Sequence, residues 1–278
     1  MKLILLFGAL IFLLASFLLT NSDIYFEGGT IKNQIGEHYG LNEIYVHYYS
    51  GFFNFLICTT SALIIVIAER RAEIGGWNYV ASGIFFNGLV GFGEVAEHFF
   101  KPFLHDFFHY FHIYSGFFSL LLLYLGVKLI LSSIVGNNIS ERKSIIAASL
   151  ILLLFLSLLT SVKTTEKWDP RFEIPVMSIL LIPTILLTIL LVYDAYKIFQ
   201  ESGFVMVTLT SFAVFAMLLQ LVIILGRISD IMGNAYFYTI THSIQDLLHV
   251  ASATNALIFA VTLNMTFKKI KSVEEIIL

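Results

Sequence analysis

The stretch His105-Asp106-Phe107-Phe108-His109-Tyr110-Phe111-His112, running on through Ile113 into an apolar segment that ends near Ile134, decides how this chain is read. A bilayer core about 30 Å thick needs roughly 20 apolar residues in a helix, and residues 107–134 exceed that length. Residues at i, i+4 and i+7 return to one helix face, so His105, His109 and His112 fall on a stripe about 60° wide. The segment is therefore a membrane helix that begins with a row of imidazoles.

The same ruler applied outward gives eight expected spans, at roughly 3–20, 51–68, 77–97, 107–134, 144–162, 174–198, 204–227 and 237–266. Composition agrees: 58% of the 278 residues are hydrophobic, 13% are charged, and mean hydropathy is +0.87. Soluble domains carry about 25% charged residues, so the chain reads as an all-α, polytopic transmembrane helix bundle. No Ser- or Pro-rich linker interrupts it, and residues 1–278 form one integral membrane domain. Lys2 precedes the first apolar run as in a signal peptide, but no clear small-x-small site follows at Leu18-Leu19-Thr20-Asn21, so 3–20 is read as an anchor.

Basic residues set the expected orientation. With the N-terminus inside, ten of the 16 Lys and Arg fall at cytoplasmic helix ends, among them Arg70, Arg71, Lys128, Lys268 and Lys269, and six fall outside. Both termini are then cytoplasmic, in a cell-membrane protein, and all eight His lie on or toward the outer side. Residues 21–50 read as an outer loop, with a short amphipathic helix around 41–49, and 163–173 as a second loop whose Trp168 suits the interface.

The two halves show one internal echo. Asp106-Phe-Phe-His109 matches Asp246-Leu-Leu-His249 at an offset of 140, and the same offset sets Lys128 opposite Lys268. A parallel 4+4 duplication would give such matches, as would chance similarity between apolar helices.

Ionisable groups inside a membrane segment are costly and mark functional sites. His242, Asp246 and His249 repeat the i, i+4, i+7 pattern on the last span. Glu94, Glu97 and His98 close span three, and Pro102 permits a sharp connection to span four. Neutral imidazoles interleaved with carboxylates are the ligand set that transition metals prefer. His98, His105, Asp106, His109, His112, His242, Asp246 and His249 are therefore the candidate metal ligands, with Asp106 better placed to orient a neighbouring ring. Glu97 and Glu94 are the candidate general bases. His38 and His47 lie on the polar stretch and read as ordinary surface residues.

The order of these groups is similar to that of the seven-helix zinc hydrolases related to alkaline ceramidases and adiponectin receptors. There a His late in one helix is followed by an acid early in the next and by two His in the last; His98, Asp106, His242 and His249 follow that order. The spacing departs from it, since the closing pair is His-x6-His rather than His-x3-His and no Ser lies four residues before His98. The chain is not assigned to that family.

Several functions fit such a site. A metal-dependent membrane enzyme acting on a lipid or other apolar substrate is favoured, with iron or copper oxidation chemistry slightly ahead of zinc hydrolysis. Non-covalent haem b, held between spans four and eight by His109 or His112 with His249, is one alternative. A metal transporter or sensor, or a structural subunit beside a partner membrane protein, are others. A single cysteine, Cys58, excludes internal disulfides and cysteine-built metal sites, and a net charge of −3 gives no footprint for nucleic acid.

Overall fold

A computed structural model describes residues 41–70, 75–99, 105–135 and 170–277. Among the described residues all regular structure is helical, and six helices are long and apolar enough to cross a membrane. They are α1 (Leu41–Glu69), α2 (Trp77–Phe99), α3 (His105–Val135), α4 (Pro170–Ser202), α5 (Phe204–Ile231) and α6 (Ala235–Ile277). Each coincides with an expected span. The two other expected spans, 3–20 and 144–162, lie outside the described residues, as do 21–40 and the loop at 163–169. Residues 41–50, expected as the end of an outer loop with a short separate helix, are continuous with α1. Within it Tyr48 and Ser50 are buried while Val46 is exposed, so this part of the helix turns one face inward.

In lipid every backbone group must be satisfied within the helix, and side-chain hydroxyls need the same treatment. Hydroxyls along these helices bond the carbonyl four residues back, as Thr60 does to Leu56, Ser61 to Ile57, Thr184 to Leu180 and Ser229 to Leu225. Helix breaks fall where the chain needs positive φ. Gly203 (φ 66°) ends α4, and Gly233 (φ 69°) lies in the turn before α6. Asn234 then caps α6, its Oδ1 accepting the Phe237 amide at 3.1 Å.

The six helices close into a ring in which each packs on its neighbour in the chain and α6 returns to α1. Lipid tails give no hydrophobic reason for helices to associate, so close approach of small residues matters more. At Gly91 a Cβ would sit 2.2 Å from the Gly51 carbonyl oxygen, so the α1 and α2 backbones touch one turn from Glu94. Across the middle, Gln220 of α5 donates to the Ile113 carbonyl of α3 at 2.7 Å, its amide lying in the notch left by Gly116. Ile65, Ile84, Leu120, Leu123, Phe212 and Phe259 fill the interior. The outward face of α4 carries Ile179, Ile182, Leu186 and Ile189, all exposed, as a lipid-facing surface requires.

Side-chain contacts fix helix direction. His47 near the start of α1 meets Asp246 near the start of α6, so these helices run parallel. Lys128 and Asp194, both late in their helices, make α3 and α4 parallel as well. Gly51 against Gly91 and Ser211 against Asn255 make α2 antiparallel to α1 and α5 antiparallel to α6. The start of α1, the end of α2 and the start of α6 therefore meet at one end of the bundle.

Candidate functional site

Three helices deliver polar side chains to that end, each at helical spacing. On α1 they are His47, Ser50, Asn54 and Cys58; on α6, His242, Gln245, Asp246, His249 and Ser252; on α2, Asn87 and Glu94. Intervals of three, four and seven residues keep each set on one face, and the three faces converge.

Glu94, 3% exposed, is the hub. Its Oε1 accepts from His47 Nε2 at 2.7 Å and from Gln245 Nε2, and its Oε2 accepts from His249 Nε2. Both imidazoles thus aim the same atom at one carboxylate. Their outer nitrogens are held from behind. Asp246 Oδ1 takes His47 Nδ1 at 2.9 Å and is itself steadied by the Ser50 hydroxyl at 2.7 Å. Asn54 Nδ2 meets His249 Nδ1 at 2.7 Å. His242 lies alongside, its ring 5.4 Å from that of His47, with Nδ1 donating to the Tyr238 carbonyl at 2.9 Å.

Proton accounting gives the charge of this group. An ionised carboxylate only accepts, so a ring nitrogen facing one must carry the proton. His47 faces carboxylates with both nitrogens and is then positive. His249 donates from Nε2, accepts at Nδ1 and is neutral. With Asp246 and Glu94 each negative, the net charge is −1, held where His249 is fully buried and His47 and Asp246 are each 12% exposed. Charge held in such surroundings is expensive.

Toward the membrane interior the site continues as neutral groups. Asn54, Asn87, Ser252 and Cys58 are all buried to within 1%. Cys58 donates to Asn54 Oδ1 at 3.0 Å, and Asn87 Nδ2 lies 3.3 Å from the same oxygen and 3.2 Å from Ser252 Oγ. One turn further, Ser61 bonds only its own helix and the seam between α1, α2 and α6 becomes apolar.

Of the residues singled out by sequence, Glu94, His242, Asp246 and His249 come together here. His112 is buried in the α2–α3 seam, its Cβ packed against Gly93, on a different face of α2 from Glu94. The side chains of Glu97, His98, His105, Asp106 and His109 lie outside the described residues. His47, expected as a surface residue, is instead central. Its signal was the spacing His47-x2-Ser50-x3-Asn54-x3-Cys58, a polar stripe running straight into an apolar span, which a loop boundary drawn at residue 50 cut in two. Among the described residues no group of three or more His, Cys, Asp or Glu is arranged so as to hold a metal ion.

No protein-family model matches the chain, and neither a curated protein nor a solved structure is similar to it. Chemistry alone must carry the functional reading.

Proposed function

We propose that this chain is a multi-pass membrane metalloenzyme whose ion is held by His47 Nε2, Glu94 and His249 Nε2. The observation that carries this is the convergence of two Nε2 atoms on one buried carboxylate, with His47 Nδ1 anchored from behind by Asp246. Ligating imidazoles nearly always donate the outer N–H to a carboxylate, backbone carbonyl or water, as His47 does to Asp246, which sets tautomer and ring direction. Charge supports it too. Exchanging the His47 Nε2 proton for a divalent ion takes the group from −1 to neutral, and one proton leaves.

Two His and one carboxylate are the ligand set of non-haem Fe(II) oxidation centres and also of hydrolytic zinc. Iron is favoured here. Hydrolysis needs a supply of water, whereas a centre among groups this buried suits an apolar substrate and a small apolar oxidant such as dioxygen. The ion would supply the redox chemistry; Glu94, expected from sequence as a general base, serves as ligand instead. Asp246 fixes the His47 ring, and Gln245 holds the Glu94 carboxylate in place. A lone ion also fits better than haem, because both nitrogens of the fully buried His249 are engaged within the seam.

The proposed setting is the cell membrane, with eight spans, both termini cytoplasmic and the site toward the outer face. The described directions support the span count: α1, α3, α4 and α6 run one way, α2 and α5 the other, as the even and odd members of eight alternating spans would. Parallel α3 and α4 fit a further crossing between them, which the proposed span at 144–162 would supply. A lipid or other apolar molecule is the proposed substrate, and a partner membrane subunit the source of any electrons required.

Purification with Fe(II) under anaerobic conditions, followed by metal analysis and absorbance, tests the reading. About one iron per chain without a Soret band is expected, lost in both His47→Ala and His249→Ala. Zinc in its place would redirect the chemistry to hydrolysis. A metal content unchanged by both substitutions, or none in the wild type, would refute it.

A further inference from the structure

Asp246 uses only half of its carboxylate. Its Oδ1 accepts from His47 Nδ1 at 2.9 Å and from the Ser50 hydroxyl at 2.7 Å, while Oδ2 meets no donor among the described residues. Nor does Oδ2 belong to the polar atoms sealed in the interior without a partner, so it reaches the surface of the bundle. An ionised oxygen at a membrane helix is costly without a donor. Other donors of the site are already engaged, Gln245 and His249 with Glu94 and Ser50 with Oδ1 itself. The missing donor comes from outside the described helices.

Helix geometry shows what Oδ2 looks out on. At about 100° per residue, Gln245 and His249 lie to one side of Asp246 on α6, and Val250, Ser243 and Leu247 to the other. The first two are buried; Val250 and Ser243 are exposed, and Leu247 is 72% exposed. Asp246 is therefore a rim residue, placed where the polar face of α6 passes into its lipid face. Across the seam Val46, one turn before Ser50 on α1, is exposed as well. Apolar side chains flank this opening, as they would an entrance from lipid. From Asp246, exposed Val250, Thr254 and Ile258 follow at four-residue steps along α6, a track on which a hydrocarbon chain can lie.

Taking the proposed metal centre as the place of reaction, we infer that its substrate is a lipid with a hydrogen-bond donor on its head, a hydroxyl or an amine. It enters sideways from the bilayer, between the starts of α1 and α6. Asp246 is the specificity-determining residue: Oδ2 receives the head-group hydrogen while Oδ1 holds His47. Both oxygens belong to one carboxylate, so the head is set in register with the imidazole proposed to carry the ion. A head with acceptors only, such as an ester, meets an oxygen that repels it.

Native mass spectrometry of the purified, metal-free full chain tests this with hexadecan-1-ol, hexadecylamine and methyl hexadecanoate, which share one acyl length. A donor-bearing probe is expected to bind about 10–100-fold more tightly than the ester, the size of one hydrogen bond to a charged group. Preference for the amine alone identifies a cationic head; binding of the alcohol as well shows that a neutral hydroxyl suffices. In Asp246→Asn the ranking should invert. His47 and Ser50 both donate to the inner position and keep the amide oxygen there, which leaves the amide nitrogen at the rim to favour the ester. Equal binding of all three probes by the wild type, or none, overturns the inference. Equal weakening of all three in Asp246→Asn overturns the role given to that residue. Should the variant not fold, the wild-type ranking decides by itself. Because the ranking is read without metal, its failure leaves the metal reading standing, and absence of iron from a chain that ranks the probes as expected fails that reading alone.

Discussion

Two polar assemblies stand at opposite ends of this bundle, and they are built on different principles. At the late ends of α3 and α4, Lys128 Nζ meets Asp194 Oδ2 at 3.0 Å, one charge against one, with the lysine 25% exposed and free to reach the interface with its stem buried. Where the starts of α1 and α6 meet the end of α2, two carboxylates, three imidazoles and several amides are packed together. The first pair is complete by itself. The second gathers its donors on the single Glu94 carboxylate. A single charge pair explains packing; imidazoles from two helices aimed at one buried carboxylate are what motivates the proposed ion.

The contrast makes graded predictions. Removing the hub should have the largest effect: Glu94→Gln keeps size and hydrogen bonding but removes the shared negative ligand, and stoichiometric metal binding measured by isothermal titration should vanish. Asp246→Asn leaves the ligands in place and weakens only the support behind His47, so affinity should fall about 10–100-fold. Equal losses in these two variants would mean that Asp246 is itself a ligand.

Lys128→Met is the counterpart at the other end. Leaving Asp194 buried without its partner should lower stability in a detergent unfolding assay by up to about 3 kcal/mol, reduced by the lysine's partial exposure, while metal affinity stays unchanged. If metal binding weakened as well, the two ends would be coupled and not independent. A milder effect concerns pH. One proton is released per ion in the charge accounting above, so affinity should rise about tenfold per pH unit while His47 remains protonated in the metal-free protein. A pH-independent affinity would mean that His47 is neutral before the ion arrives. Smallest of all, Ser50→Ala removes one hydrogen bond to Asp246, worth about 1 kcal/mol, and should weaken binding only a few-fold.

How much of this was legible beforehand follows from the kind of signal each residue gives. Apolar runs of about 20 residues report helices without tertiary information, and the six described helices fall where those runs lie. Glu94, Asp246 and His249 were legible because an ionisable residue inside an apolar run has few inexpensive explanations. Which helices would meet was a different matter. Sequence spacing shows that His109 and His112 share a face of α3, but not that the α2–α3 seam turns His112 toward Gly93 while α6 closes against α1. The α1–α2 approach likewise depends on Gly51 meeting Gly91, two glycines 40 residues apart that gain meaning only when their backbones touch. His47 was hidden for the same reason. Its neighbours in sequence are loop-like, and its real neighbours, Glu94 and Asp246, are 47 and 199 residues away.

Metal content of the purified wild-type chain beside Glu94→Gln, both prepared anaerobically with Fe(II), tests the proposed centre most directly. About one ion per chain in the wild type and essentially none in the variant, with both proteins folded by circular dichroism, is the expected result. Equal metal in the two, or none in either, would contradict a centre built on that carboxylate.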